Sequence, residues 1–135
     1  MKIVILDVVN TVSLPGKDLR EVGYETVPNY PVIRMIQALS NSGFKIFVVT
    51  GRLELLEEKT IKWLDDHKVP FDKILMRKED DDTINSQLKK HMLDGISSNL
   101  KDNDEVIMAV EAYDAAVEMY TVESIDVVQI RRGDI

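Results

Sequence analysis

The residues in this chain best suited to chemistry stand where short apolar runs stop. "KIVIL" ends at Asp7, "KIFVV" at Thr50-Gly51-Arg52, "KILM" at Arg77 and "EVIMAV" at Glu111, while Lys89 comes thirteen residues after Met76. A carboxylate followed two positions later by a second one is a pair fit for acid–base work, one group attacking while the other moves a proton. Here Val9 holds the second place and has no proton to give or take. From the residues alone Asp7 reads in two ways: as half of a catalytic pair, or as the first turn after a strand. Thr50-Gly51 reads either as a hydroxyl at a ligand site or as a strand-to-helix turn, since Thr is a common helix N-cap. Lys89, next to Lys90, has the simple structural reading of an ion pair with Asp7.

Other candidates carry less. His67 and His91 lack a partner at metal-ligand spacing and are read as surface residues. "EDDDT" lacks the spacing of a calcium loop and is read as a solvated turn. "KKHML" is too small a basic patch for nucleic acid. Trp63, Met119 and Tyr120 are read as packing residues. With no cysteine in the chain, thiolate chemistry and disulfides are excluded, and a reducing, cytoplasmic setting is expected.

The elements that must position these groups alternate. Strands are predicted at "KIVILDV", "KIFVVT", "KILMR", "EVIMAV" and "IDVVQI". Between them, helical spacing predicts one helix from Pro31 to Gly43, with Asn29 as its cap and Val32, Ile33, Ile36 and Leu39 inward. A second covers "RLELLEEKTIKWLDDHKV", with Leu55, Leu56, Ile61 and Leu64 on its apolar side. A third covers "TINSQLKKHMLDGISSNL", which Gly95 closes or interrupts, and a fourth covers "YDAAVEMYTV". The stretch from Val12 to Asn29, punctuated by Pro15, Gly16, Gly23 and Pro28, is read as loop and at most a small lid. Strands alternating with helices predict a parallel sheet covered on both faces. Ligand sites of such sheets lie at the carboxyl ends of the strands, where these residues stand.

The 135 residues suit one domain, residues 1–135, with 44% hydrophobic and 30% charged residues. A net charge of −7 and a pI near 4.8 argue against non-specific binding to nucleic acid or to an anionic membrane. No run approaches the length of a membrane span, and the first strand begins too early for a secretory signal to precede it.

Taken in order, these motifs resemble the haloacid dehalogenase (HAD) superfamily, and within it the phosphatase domain of bacteriophage-type polynucleotide kinase/3'-phosphatase. Asp7-Val8-Val9-Asn10-Thr11 stands where that family has D-x-D-G-T. "VVTGR" is similar to its second motif. "FDKILMR" with the later Lys89 resembles the approach to the third-motif lysine, and "VEAYDAAVEMY" resembles D-D-R-x-x-V-V-E-M-W. The tail "VVQIRRGDI" is similar to the subfamily ending. The resemblance implies a HAD-like Rossmannoid three-layer α/β sandwich of about five parallel strands without a large cap domain. The first strand would be central, beside those carrying the second and fourth motifs.

It implies roles too. Asp7 would be the nucleophile that forms an aspartyl-phosphate. Thr11, Thr50, Gly51, Arg52 and Lys89 would hold phosphoryl oxygens. Asp7, the Val9 backbone carbonyl and Glu111 would be the weak remaining ligands for Mg²⁺. The chain departs from the pattern at Val9 (the acid/base position), at Asn85 (aspartate in the family), at Ala112 (in the metal pair) and at Tyr113 (arginine in the family). Lost acid–base help costs about 10²- to 10⁴-fold in rate, and a lost metal roughly three decades or more. The favoured expectation is therefore a degenerate phosphatase-like protein without cofactor. It would be phage-encoded and act by binding or regulating a protein partner such as a host factor. The alternative is a Mg²⁺-dependent phosphatase acting on polynucleotide 3'-phosphates or nucleotides, with Asn10 or water covering the missing acid. Nucleic acid enters only there, as a phosphorylated end.

Overall fold

The computed structural model describes residues 1–14 and 27–131. The inner part of the expected loop and the end of the "VVQIRRGDI" tail lie outside the described residues. Five strands form one parallel sheet: β1 (Lys2–Leu6), β4 (Lys45–Leu53), β5 (Lys73–Arg77), β6 (Glu105–Glu111) and β7 (Val127–Gln129), in the order β5-β4-β1-β6-β7. Two short strands, β2 (Ser13–Leu14) and β3 (Val27–Pro28), pair antiparallel beside it, within a stretch expected to be loop. Two-residue strands are too short to show a period-two pattern, so the sequence gives no sign of them.

Why β1 is central follows from its side chains. Ile3 and Ile5 point to one face and Val4 and Leu6 to the other, and all four are buried. A strand apolar on both faces is stable only with both faces covered. On one face Val4 and Leu6 join Ile46 and Val48 against α1 (Tyr30–Asn41) and α2 (Glu57–Asp66), through Ile33, Ile36 and Leu64. On the other, Ile3 and Ile5 join Phe47, Val49 and Ala109 against α3 (Asn85–Ser98) and α4 (Asp114–Val122), through Leu93, Ile96 and Tyr120. Each such aliphatic side chain contributes about 1.5–3 kcal/mol by leaving water. This is the three-layer α/β sandwich expected, with β1 between the strands that carry the second and fourth motifs.

Several boundaries differ from expectation. The strand after Gly43 does not stop at Thr50 but runs to Leu53, and a 3-10 turn at Glu54–Leu56 precedes α2. Thr50 is thus a strand residue and not a helix cap, and Leu55 is exposed instead of facing the core. Asn29 makes no side-chain cap to α1; its amide nitrogen donates instead to the Thr11 carbonyl at 3.0 Å. Gly95 neither closes nor breaks α3, which continues to Ser98, and nothing crowds the position where its Cβ would stand. Gly43 does end α1's turn, at φ +96°, a region open to glycine at little cost. His67 is half-buried, with its ring centroid 4.4 Å from that of Trp63.

Candidate phosphate-handling site

The carboxyl ends of β1, β4, β5 and β6 meet around one cleft. Asp7 directly follows β1 and Glu111 ends β6; these strands are hydrogen-bonded neighbours, so the two carboxylates come together. Their shared cation comes from α3. Lys89 is fully buried, and its Nζ donates to Asp7 Oδ1 at 2.8 Å and to Glu111 Oε2 at 2.6 Å. Its neighbour Lys90 turns outward and pairs with Asp94 one turn along α3. The remaining oxygens are also held. Thr11 Oγ1 donates to Asp7 Oδ2 at 2.9 Å. The amides of Ala112 and Tyr113 donate to Glu111 Oε1 at 3.0 and 3.3 Å.

The electrostatics of this trio are uneven. Burial works against the Lys89 ammonium, but the Asp7 and Glu111 carboxylates outweigh it and hold its pKa above the ordinary lysine value. Burial, reinforced by repulsion from Asp7, pushes the Glu111 carboxyl up to about 7 in spite of Lys89. Below the trio, the Tyr120 hydroxyl is buried without a hydrogen-bond partner, and burial raises its pKa.

A cleft of about 310 Å³ opens above Asp7, walled by Val9, Thr50, Arg52, Arg77, Asn85 and Tyr113. Pairing of β4 with β5 steps from Val49–Leu75 to Leu53–Arg77, so Thr50, Gly51 and Arg52 bulge off the ladder toward the cleft. Within the bulge the Arg52 amide donates to Thr50 Oγ1 at 3.2 Å, and the Arg52 guanidinium donates to Thr60 at 3.4 Å. Arg77, a strand-end residue to which the sequence assigned no role, holds the bulge in place. Its Nε donates to the Gly51 carbonyl at 3.1 Å, and one terminal nitrogen donates to the carbonyls of Asp81 at 2.9 Å and Thr83 at 2.7 Å. A Cβ at Gly51 would lie 2.2 Å from Asn85 Oδ1, so any other residue here makes the Asn85 side chain shift. That Asn85 oxygen is itself buried without a hydrogen-bond partner.

Of the residues proposed from sequence, Asp7, Val9, Thr50, Gly51 and Arg52 border the cleft, and Lys89, Thr11 and Glu111 lie just behind Asp7. Thr11 is fully buried and spends its hydroxyl on Asp7. The substituted positions Asn85 and Tyr113 border the cleft too. Asp7, the Val9 backbone carbonyl and Glu111 are the groups that would hold Mg²⁺, a hard cation of near-octahedral oxygen coordination. The oxygens of Asp7 and Glu111 accept protein hydrogen bonds, which occupy only part of each carboxylate's lone-pair sites. No trio of Asp, Glu, His or Cys able to hold a metal occurs among the described residues.

Residues 2–135 match the polynucleotide kinase PNKP phosphatase domain. The chain belongs to that family. Two solved structures share its fold: a chain of the Pnkp1/Rnl/Hen1 complex and a chain of the Pnkp1/Rnl/Hen1 RNA repair complex. Each is 24% identical with a TM-score of 0.83 over 99% of this chain. This chain spans 47% and 43% of those chains, less than half of either. No curated protein matches. The HAD-like phosphatase fold is thereby established for this PNKP-family domain; its described residues form no large cap, and no helix among them is long and apolar enough to cross a membrane.

Proposed function

We propose that this PNKP-family domain binds phosphomonoester ends and has lost efficient hydrolysis, acting as a binding or regulatory protein. The observation that carries this reading is Val9, whose apolar side chain borders the cleft beside Asp7 where the resemblance would place the acid/base carboxylate. The buried Lys89 ammonium bonds both Asp7 and Glu111, as a retained phosphate-site lysine would. A phosphoryl group approaching Asp7 would meet Arg52, Arg77 and the Thr50 hydroxyl at the cleft wall. These cationic and donor groups compensate a phosphate dianion in a chain that is otherwise strongly acidic. Turnover lacks its proton shuttle. Val9 cannot protonate a leaving alkoxide, and Ala112 supplies no carboxylate beside Glu111. A protein partner fits the same reading, since two solved structures that share the fold are chains of multi-protein complexes.

The test is an assay with Mg²⁺ of a 3'-phosphorylated oligonucleotide and an aryl phosphate, alongside calorimetric titration with inorganic phosphate. Phosphate binding without turnover is the expected result. Turnover abolished by Asp7→Asn overturns the reading. The double variant Val9→Asp, Ala112→Asp is expected to gain measurable hydrolysis. A second reading, a working phosphatase, draws on Asp7 itself: Lys89 and Thr11 fix both its oxygens beside the cleft, an orientation that suits a nucleophile.

A further inference from the structure

A second cavity, of about 470 Å³, adjoins the first, and Tyr113 walls both. On one side of Tyr113 lies the Asp7 cleft. On the other the lining is Leu14, Ile130 and Ala112 with Asn10 and the paired Asp114 and Arg131, 3.3 Å apart. Tyr113 is the N-cap residue of α4, in extended conformation, which turns its side chain out between the two chambers. Its ring is well placed to stay there. The Asn10 side-chain amide donates to the Tyr113 hydroxyl at 2.9 Å, and Asn10 itself is set by a left-handed backbone at φ 62°. The ring centroid also lies 5.9 Å from the buried Lys89 ammonium. Such a contact is attractive through the ring's quadrupole. The aromatic is thus anchored at its tip and over one face, yet remains 40% exposed.

Resting on the phosphate-binding reading above, we propose that Tyr113 is the stacking platform for the base of a nucleoside monophosphate. The phosphate lies in the Asp7 cleft and the base in the adjoining cavity. The geometry that carries this is a single anchored aromatic ring shared by a cationic cleft and a larger, partly apolar one. The second cavity has the size of a small-molecule site. Leu14 and Ile130 supply an apolar wall, and Asn10 and Arg131 supply groups able to meet the polar edge of a base. Stacking is tolerant of base identity because every base has a π-face, so little preference among the four bases is expected.

Calorimetric titration of the intact chain with a nucleoside 3'-monophosphate and with glycerol 2-phosphate, which has no ring, tests this. The wild type is expected to bind the nucleotide more tightly than glycerol 2-phosphate. Tyr113→Leu keeps apolar bulk without a ring. It is expected to weaken the nucleotide by about 5- to 100-fold, and glycerol 2-phosphate by much less. Tyr113→Phe keeps the ring and is expected to retain most of the nucleotide affinity. Thermal unfolding of each variant separates misfolding from lost contact. Equal affinity of the wild type for both ligands overturns the stacking platform and leaves phosphate binding standing, as does a Tyr113→Leu variant that loses both alike. Failure of the wild type to bind either ligand overturns both proposals together.

Discussion

Lys89 answers two carboxylates at once, and removing it exposes what each costs. Lys89→Met places an apolar chain of similar length between Asp7 and Glu111 and leaves two buried acids facing each other. Breaking a buried pair in this way costs about 3–5 kcal/mol. The urea midpoint is expected to fall accordingly, with little change in slope. Glu111 makes a separate statement about pH. Its folded-state pKa of about 7 lies above its ordinary 4.5, so the folded protein holds a proton that the unfolded chain releases. That stabilisation is complete below pH 4.5 and is lost as pH rises through 7, by up to about 3 kcal/mol. Glu111→Gln cannot titrate. The stability difference between wild type and Glu111→Gln is therefore expected to shift against the wild type between pH 4.5 and 7. Denaturant titrations of both chains across that range measure it, and parallel curves would show that Glu111 keeps an ordinary pKa.

At the level of elements, the β4 bulge and the start of α3 are fitted to each other. Gly51→Ala is expected to cost about 1–3 kcal/mol, the usual penalty of forcing volume into a packed site. Asn85→Ala removes the oxygen that the new methyl would strike, and with it a buried group lacking a partner. The double variant is then expected to be more stable than the sum of the two single changes predicts, by about 0.5–3 kcal/mol, as neighbouring sites behave. A strictly additive cycle would place Asn85 away from Gly51. This contact marks the limit of what the residues alone convey. Apolar runs such as "KIVIL" and "KIFVV" announce central strands, because only a strand covered on both faces tolerates such a run. Asp7, Thr50 and Glu111 then fall at one edge by topology. The residues leave Lys89 and Lys90 open and only the resemblance favours Lys89, which α3 turns inward on the side of Leu88, Leu93 and Ile96. The grip of Arg77 on three carbonyls was not legible, since backbone oxygens carry no residue-type signal. The extension of β4 to Leu53 was hidden for a related reason: glycine and arginine in a bulge read as a turn. Tyr113 was visible only as a departure from the family arginine, with nothing in the chain to show that it borders two cavities.

For the whole molecule, charge is distributed against its own site. The chain carries a net −7, yet Lys89, Arg52 and Arg77 gather at one end of the sheet. A long polyanion is therefore expected to be held only by its end. Lengthening a ligand from a mononucleotide to a 3'-phosphorylated strand of about twelve nucleotides should tighten binding by less than about threefold. The slope of log affinity against log salt should stay near that of the mononucleotide, because few further counterions are released. Fluorescence anisotropy at several salt concentrations checks this, and a slope that steepens with length would point to a backbone-tracking groove. The strand order has a consequence in time as well. β1 finds one neighbour in β4, but its other neighbour, β6, ends at Glu111. Between the end of β4 and the end of β6 a ribosome must add roughly 60 residues, several seconds of synthesis at about 5–20 residues per second. Until α3 has been made, the Ile3 and Ile5 side of the nascent sheet waits uncovered, and through the whole interval Asp7 waits for Glu111. A chaperone that shelters early apolar strands would meet this chain before its charged cleft exists, so a slow or stalled translation between Leu53 and Glu111 is where aggregation should begin.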